Sequence, residues 1–298
     1  MEQNSFLRGI MFLVLAQVMV GVNIVTSKLL LSSMPVLVLL AIRFIFASLV
    51  LLPLHWTTPA RKESIKSYFS SLTKRDWWFI LAQAVSAGAL FNCLMLTGLN
   101  YTGANMAGII TSALPAIIAV MAWLLLGEKL SAQKAFCIIF ATVGLFIIAY
   151  DKFNSGGKAN SFLGDFIVLF SLLPEAAYYV LCKFYSNRLP IFLTSSLLNG
   201  INAILFLPAL FFINWDPAMV HVLGWFVLAV ISLSSGLFYV FSMIGSKRVD
   251  GAMASLATAV MPVATVILAW IILGEQLSLL EFAGMGLVLF SIALYARR

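Results

Sequence analysis

Apolar residues run through this chain in blocks of about twenty, separated by short polar or charged stretches, and within a block they are continuous, not alternating. A block of that length, coiled as α-helix, spans the roughly 30 Å hydrocarbon core of a bilayer. Ten such spans are expected, at approximately 7–30, 35–55, 77–98, 104–126, 132–150, 162–184, 190–213, 220–245, 252–273 and 278–296. A strand barrel would need ten-residue alternations, which are absent. The pattern therefore predicts an all-α membrane protein with ten transmembrane helices. The first block exceeds the apolar core of a signal peptide and no small-residue cleavage site follows it, so it is expected to stay in the mature protein.

The pattern also repeats. Displaced by 147 residues, AGIITSALPAIIAVMAWLLLGEKLS (107–131) falls on ASLATAVMPVATVILAWIILGEQLS (254–278), with ten of 25 positions identical, including Thr111/Thr258, Pro115/Pro262, Trp123/Trp270 and Glu128/Glu275. The same displacement pairs WFILA (78–82) with WFVLA (225–229), Leu90-Phe91 with Leu237-Phe238 and Gly98 with Gly245. A displacement of 155 pairs Gly9/Gly164, Lys28/Lys183, Pro35/Pro190 and Pro53/Pro208, the eight-residue difference being absorbed by the basic loop at 55–76. One transmembrane domain, 1–298, built of two five-span repeats at 1–151 and 161–298, is expected. Because five is odd, the second copy enters the membrane from the opposite side. Inverted repeats are typical of secondary transporters, whose substrate site lies at the repeat interface near the midplane.

Composition agrees with burial in lipid: 62% of residues are hydrophobic, 10% are charged and the mean hydropathy is +1.06, whereas soluble domains are about a quarter charged. A net charge of +7 could suit nucleic acid, but its placement assigns it to topology. With the N-terminus in the cytoplasm, fourteen basic residues fall inside (Arg8, Arg61, Lys62, Lys66, Lys74, Arg75, Lys129, Lys134, Lys183, Arg188, Lys247, Arg248, Arg297 and Arg298) and only Lys152 and Lys158 fall clearly outside. That asymmetry places both termini in the cytoplasm. Cys93, Cys137 and Cys182 lie within expected spans without metal-ligand spacing, so small core residues are expected and no disulfide framework or metal site.

Polar residues are unequally shared among the spans. Spans 5 and 10 carry only Cys137, Thr142 and Ser291 in their interiors and are expected to face lipid. Spans 1, 3, 4, 6, 7, 8 and 9 carry more, such as Gln17, Asn23, Asn92, Thr111, Asn199, Asn202, Tyr239 and Thr258, and are expected to surround a cavity, although such groups also bond neighbouring helices. Pro115 and Pro262 each remove the hydrogen bond to the carbonyl four residues earlier, at Thr111 and Thr258, a break tolerated where it lines a cavity. Both are expected to bend their helices, as is Pro174.

LLPEAAYYV (172–180) places Glu175 near the middle of span 6, where a charge costs roughly 2.5–3.5 kcal/mol on insertion scales. At helical spacing Ser171, Glu175, Tyr178, Tyr179 and Cys182 share a face. A carboxylate beside aromatic rings suits an ammonium group, and a desolvated carboxylate could also carry a proton. Arg43, the basic residue deep in span 2, is either a structural partner of Glu175 or a holder of a substrate carboxylate. The expected substrate-binding residues are thus Glu175, Tyr178, Tyr179, Asn23, Arg43, Asn92, Thr111, Tyr239 and Thr258. Lys28 is expected to snorkel to the outer interface. The GEKLS and GEQLS turns look structural, with Gly127 and Gly274 ending helices and Ser131 and Ser278 capping the next, Glu281 completing a capping box.

The paired W-x-x-x-G-E-x-L-S segments (123–131 and 270–278), GVNIVTSK (21–28) with Arg43 in the next span, and AAYYVLCK (176–183) make the chain resemble the drug/metabolite transporter superfamily, specifically its EamA-type ten-helix exporters. The match covers essentially the whole chain; one departure is Val20, where an aromatic usually precedes the glycine. The resemblance implies a secondary transporter in the plasma membrane (a bacterial inner membrane), exporting small amphipathic metabolites such as amino acids or amines by alternating access, or importing or facilitating a metabolite. It implies a small-molecule substrate, protons as candidate co-substrate, no cofactor, and a monomer or homodimer. An intramembrane enzyme is disfavoured: His55 and His221 lie at span ends, and no acidic pair, G-x-S-x-G elbow or phosphate-binding G-x-x-x-x-G-K-[ST] loop is present. A receptor or channel would need an output domain or filter motif that is also missing.

Overall fold

The computed structural model describes residues 2–127, 159–185, 189–248, 257–258 and 260–276, with isolated positions in 136–143 and 278–290. All regular structure among the described residues is helical. Seven of these helices are long and apolar enough to cross a membrane: Ser5–Leu30, Val36–Thr57, Lys74–Leu99, Ala104–Leu125, Ser161–Cys182, Ile191–Phe212 and Val222–Ser246, joined by a shorter apolar helix at Val260–Leu273. They are spans 1–4 and 6–9 of the expected ten. Spans 5 and 10, the expectation that they face lipid, and the Ser131 and Glu281 caps fall outside the described residues.

The second copy is inverted, and its packing explains four of the repeated glycines. Spans 3 and 6 cross where a Cβ on Gly98 would lie 2.6 Å from Val168 Cγ2 and 2.9 Å from the Gly164 carbonyl. Spans 8 and 1 cross at the opposite end of the molecule in the same way, a Cβ on Gly245 meeting Leu13 Cγ at 2.6 Å and the Gly9 carbonyl at 2.9 Å. Gly98/Gly245, Gly9/Gly164 and Leu13/Val168 are repeat-equivalent pairs. Small residues let helix backbones approach in a bilayer, where van der Waals packing drives association. The two crossings are therefore one contact made twice, with the roles of the two copies exchanged.

Spans 4 and 9 are interrupted. Span 4 is a helix Ala104–Thr111, a turn at Ser112–Ala113 and a second helix Leu114–Leu126 with Pro115 in its first turn. In span 9 Thr258 sits in a turn ahead of Val260–Leu268, which contains Pro262. Span 6, by contrast, runs unbroken over Ala159–Phe184 through Pro174. Gly127 and Gly274 close spans 4 and 9 in the left-handed conformation (φ 65° and 66°) that glycine adopts without strain. Cys182 is exposed instead of packed in the core, and Cys93 is half-buried.

Candidate functional site

Spans 1, 3, 6 and 8 line a half-open cavity about midway along their lengths. Its polar wall consists of Asn23, Asn92, Glu175, Ser234, Ser235 and Tyr239. Met19, Val20, Phe91 and Phe238 provide most of the apolar wall. Val20, where the resemblance departs from its family pattern, is thus a wall residue.

Glu175 is 2% exposed, and that small exposure faces the cavity. Its carboxylate has no hydrogen bond or ion pair with a described residue. Arg43 is fully buried beside the cavity and donates from Nη1 to Asn23 Oδ1 at 2.7 Å, leaving Nε and Nη2 without partners. The Asn23 amide is held in turn by its Nδ2 donating to the Ile231 carbonyl at 3.4 Å. No ion pair joins Glu175 to Arg43. The Tyr239 hydroxyl lies within electrostatic reach of both, so the cavity carries a carboxylate and, behind Asn23, a guanidinium.

The remaining sequence candidates sit around this centre. Tyr178 is buried behind the wall, its ring 5.9 Å from that of Tyr239 and 6.2 Å from that of Phe238. Tyr179 lies edge-on to Tyr178 at 5.5 Å and accepts a hydrogen bond from Gln17 Nε2 at 3.1 Å. Thr111 turns its hydroxyl to its own helix, donating to the Gly108 carbonyl at 2.6 Å, and Thr258 is fully buried away from the cavity wall. Sequence reasoning missed Phe91 and Phe238 as wall residues. The signal was available: they are one repeat-equivalent pair, and both face the cavity.

Beyond the cavity, spans 1, 4 and 9 close on one another. A Cβ on Gly21 would meet Thr265 N at 3.1 Å, and one on Gly108 would meet Thr265 Cγ2 at 2.9 Å. The half-buried Lys28, expected to reach for the interface, instead donates to the carbonyls of Leu99 and of Thr102, the latter at 2.7 Å. Thr102 donates to Asp165 Oδ1 at 2.6 Å, tying the same corner to span 6. Glu275, expected only to sit in a structural turn, accepts from the backbone amides of Ala104 at 3.0 Å and Asn105 at 2.7 Å.

The chain is 28% identical to the uncharacterized transporter YetK of Bacillus subtilis (strain 168), over 92% of this chain and 82% of the relative. It is 26% identical to the uncharacterized transporter YvbV of the same organism over 99% and 93% of the two chains, and 21% identical to an uncharacterized transporter of Methanothermobacter thermautotrophicus over 94% and 84%. A solved structure described as "Crystal structure of protein" shares the fold, with a TM-score of 0.67 at 16% identity over 98% of this chain and 96% of the other. The sequence profile of the EamA-like transporter family matches twice, at residues 7–150 and 162–297. With nearly every residue covered, one match to each inverted copy, this multi-pass membrane protein belongs to the EamA-like transporter family.

Proposed function

We propose that the protein is a secondary transporter that exports small amphipathic metabolites carrying an ammonium group, such as amines or amino acids, across the plasma membrane by alternating access. The observation that carries this reading is Glu175: a carboxylate nearly removed from solvent, facing the cavity with no hydrogen bond or ion pair to a described residue. An ion so placed is costly unless a ligand or proton neutralises it. Asn92 and Tyr239 beside it supply hydrogen-bonding groups, and Phe91 and Phe238 an apolar surface for the rest of the molecule. Proton and ammonium compete for one carboxylate, which couples efflux to proton entry or, without a gradient, permits facilitated diffusion. The protein works without a cofactor, in the lipid bilayer, as a monomer or homodimer, and catalyses no chemical conversion.

The termini are placed in the cytoplasm on the charge asymmetry, so the end sealed by Gly21, Gly108 and Thr265 is the outer one. External labelling of single cysteines should reach position 155 and not position 64; the reverse pattern overturns the orientation. Counterflow in proteoliposomes tests the transport itself. Ligands that stabilise the purified protein are expected to exchange across the membrane, and loss of exchange in Glu175→Gln ties it to the carboxylate. If no stabilising ligand exchanges, the reading fails.

A further inference from the structure

Span 3 departs from regular helix where it lines the cavity. Ala84–Leu90 forms a π-helical turn, and the Phe91 N–H donates to the Ser86 carbonyl five residues back. Such a turn holds one residue more than an α-turn. The repeat-equivalent stretch 231–237 lies within the unbroken α-helix Val222–Ser246. No insertion explains the difference, because the displacement of 147 is the same on both sides, at 78–82 and at 90–91. Equal lengths of chain thus take up different helices, and the cause must lie in side chains.

It lies at one contact. Asn202 of span 7 presses its amide against the backbone of Gly88, where a Cβ would stand 1.9 Å from Nδ2. That nitrogen donates to the Ala84 carbonyl at 3.0 Å and to the Leu198 carbonyl at 2.9 Å, while Oδ1 is buried without a partner. An amide kept with its oxygen unsatisfied is there for its donor. At the repeat-equivalent positions, Gly88 is replaced by Ser235 of span 8 and Asn202 by Ala47 of span 2, a pair with neither the space nor the amide.

The turn decides which residues reach the cavity. In an α-helix, residues five apart point about 140° away from each other, at roughly 100° per residue. Here Asn92 stacks over Ala87, its Nδ2 donating to the carbonyls of Ala87 and Gly88 at 2.8 Å each, and both Ala87 and Asn92 line the cavity. We propose that Asn202 and Gly88 are positioning residues of the substrate site: their contact holds the π-turn in span 3 and thereby turns Asn92 into the cavity that Glu175 lines. This rests on reading that cavity as the transport site. It also makes the two repeats differ where they line the cavity.

The test reads the register of span 3 without any substrate. In the full-length protein in membranes, with Cys93, Cys137 and Cys182 replaced by alanine, a single cysteine from Ala87→Cys or Asn92→Cys is reacted with methyl methanethiosulfonate, a small neutral reagent. With Asn202 and Gly88 intact, the two positions are expected to react at rates within about threefold, as both face the cavity. Adding Gly88→Ser with Asn202→Ala, the residues at the repeat-equivalent positions Ser235 and Ala47, is expected to slow position 92 by about tenfold or more while position 87 keeps its rate, the signature of a rotation by about one residue. An unchanged rate at 92 overturns the proposal, and equal slowing at both positions does so as well, since that is general closure. If the double change prevents folding, Asn202→Ala alone is scored by the same ratio. Counterflow that fails while the ratio shifts as expected overturns the transport reading and leaves the positioning role standing.

Discussion

Glu275, just past the end of span 9, accepts the backbone amide of Asn105, at the start of span 4, at 2.7 Å. With the second bond from Ala104 it caps the broken helix of the first repeat with a carboxylate from the second. A carboxylate at a helix N-terminus satisfies amides that have no intrahelical partner and meets the positive end of the helix dipole. Replacing it by alanine is expected to destabilise the protein by about 1–2 kcal/mol, read as a lower unfolding midpoint in detergent. Glu275→Gln, which keeps one acceptor oxygen, should lose less. An unchanged midpoint for Glu275→Ala would show that the cap does not hold the repeats together.

The glycine crossings make a paired prediction. A methyl group at Gly98 or Gly245 meets side-chain carbon at 2.6 Å and carbonyl oxygen at 2.9 Å in both cases, so Gly98→Ala and Gly245→Ala should each destabilise by about 1–3 kcal/mol, the usual range for overpacking. Gly127 differs: nothing lies within 4 Å of its Cβ position, and only the positive φ is strained. Gly127→Ala should therefore cost no more than about 1–2 kcal/mol. Thermal unfolding of the three variants checks the order; a two-fold contact predicts that the first two fall together.

Much of this architecture was legible in the sequence because helix length, apolar blocks and repeats are local or periodic signals. Glu175 and Asn23, which line the cavity, could be picked out as candidates because polar groups are rare in lipid-spanning helices. The π-turn at Ala84–Leu90 could not, since it depends on Asn202, 114 residues further on than Gly88 and brought there only by packing. The partner of Arg43 was hidden for the same reason: charge alone pointed to Glu175, while the fold supplied the neutral Asn23. Thr111 stood out by repetition, yet its hydroxyl serves its own backbone.

Asn23 is the one hydrogen-bond partner of a guanidinium buried completely in the membrane. Hydrogen bonds to charged groups are worth about 1.5–3 kcal/mol, and removing one partner leaves the other desolvated and unpaired. Asn23→Ala is accordingly expected to destabilise by about 2–4 kcal/mol, whereas Asn23→Asp, which keeps the acceptor oxygen and adds an opposite charge, should retain most of the stability. Detergent unfolding of both variants decides it: equal losses would mean that Asn23 matters for packing and not for Arg43.

Glu175 lines the cavity and Arg43 lies behind Asn23 with no bond between the two, and this separates two explanations of why a carboxylate stands midway along span 6. Were they a structural ion pair, Glu175→Gln would leave the guanidinium unpaired at a cost of about 3–5 kcal/mol, and adding Arg43→Gln would restore stability. The observed geometry predicts otherwise, because Arg43 is held by Asn23 and Glu175 forms no hydrogen bond or ion pair with a described residue. Glu175→Gln should leave the unfolding midpoint unchanged or raised, since it removes a desolvated charge that no described residue pairs. The double change should lie close to the sum of the single ones, without the restoring coupling of an ion pair, since no bond joins the two and only the Tyr239 hydroxyl is known to reach both. Counterflow of cationic ligands should nevertheless be lost in Glu175→Gln, while Glu175→Asp, shorter but still charged, should keep a part of it. A rescue of stability by the double change would return the pair to a structural role, and a stable Glu175→Gln protein with normal counterflow would remove the carboxylate from the transport cycle altogether.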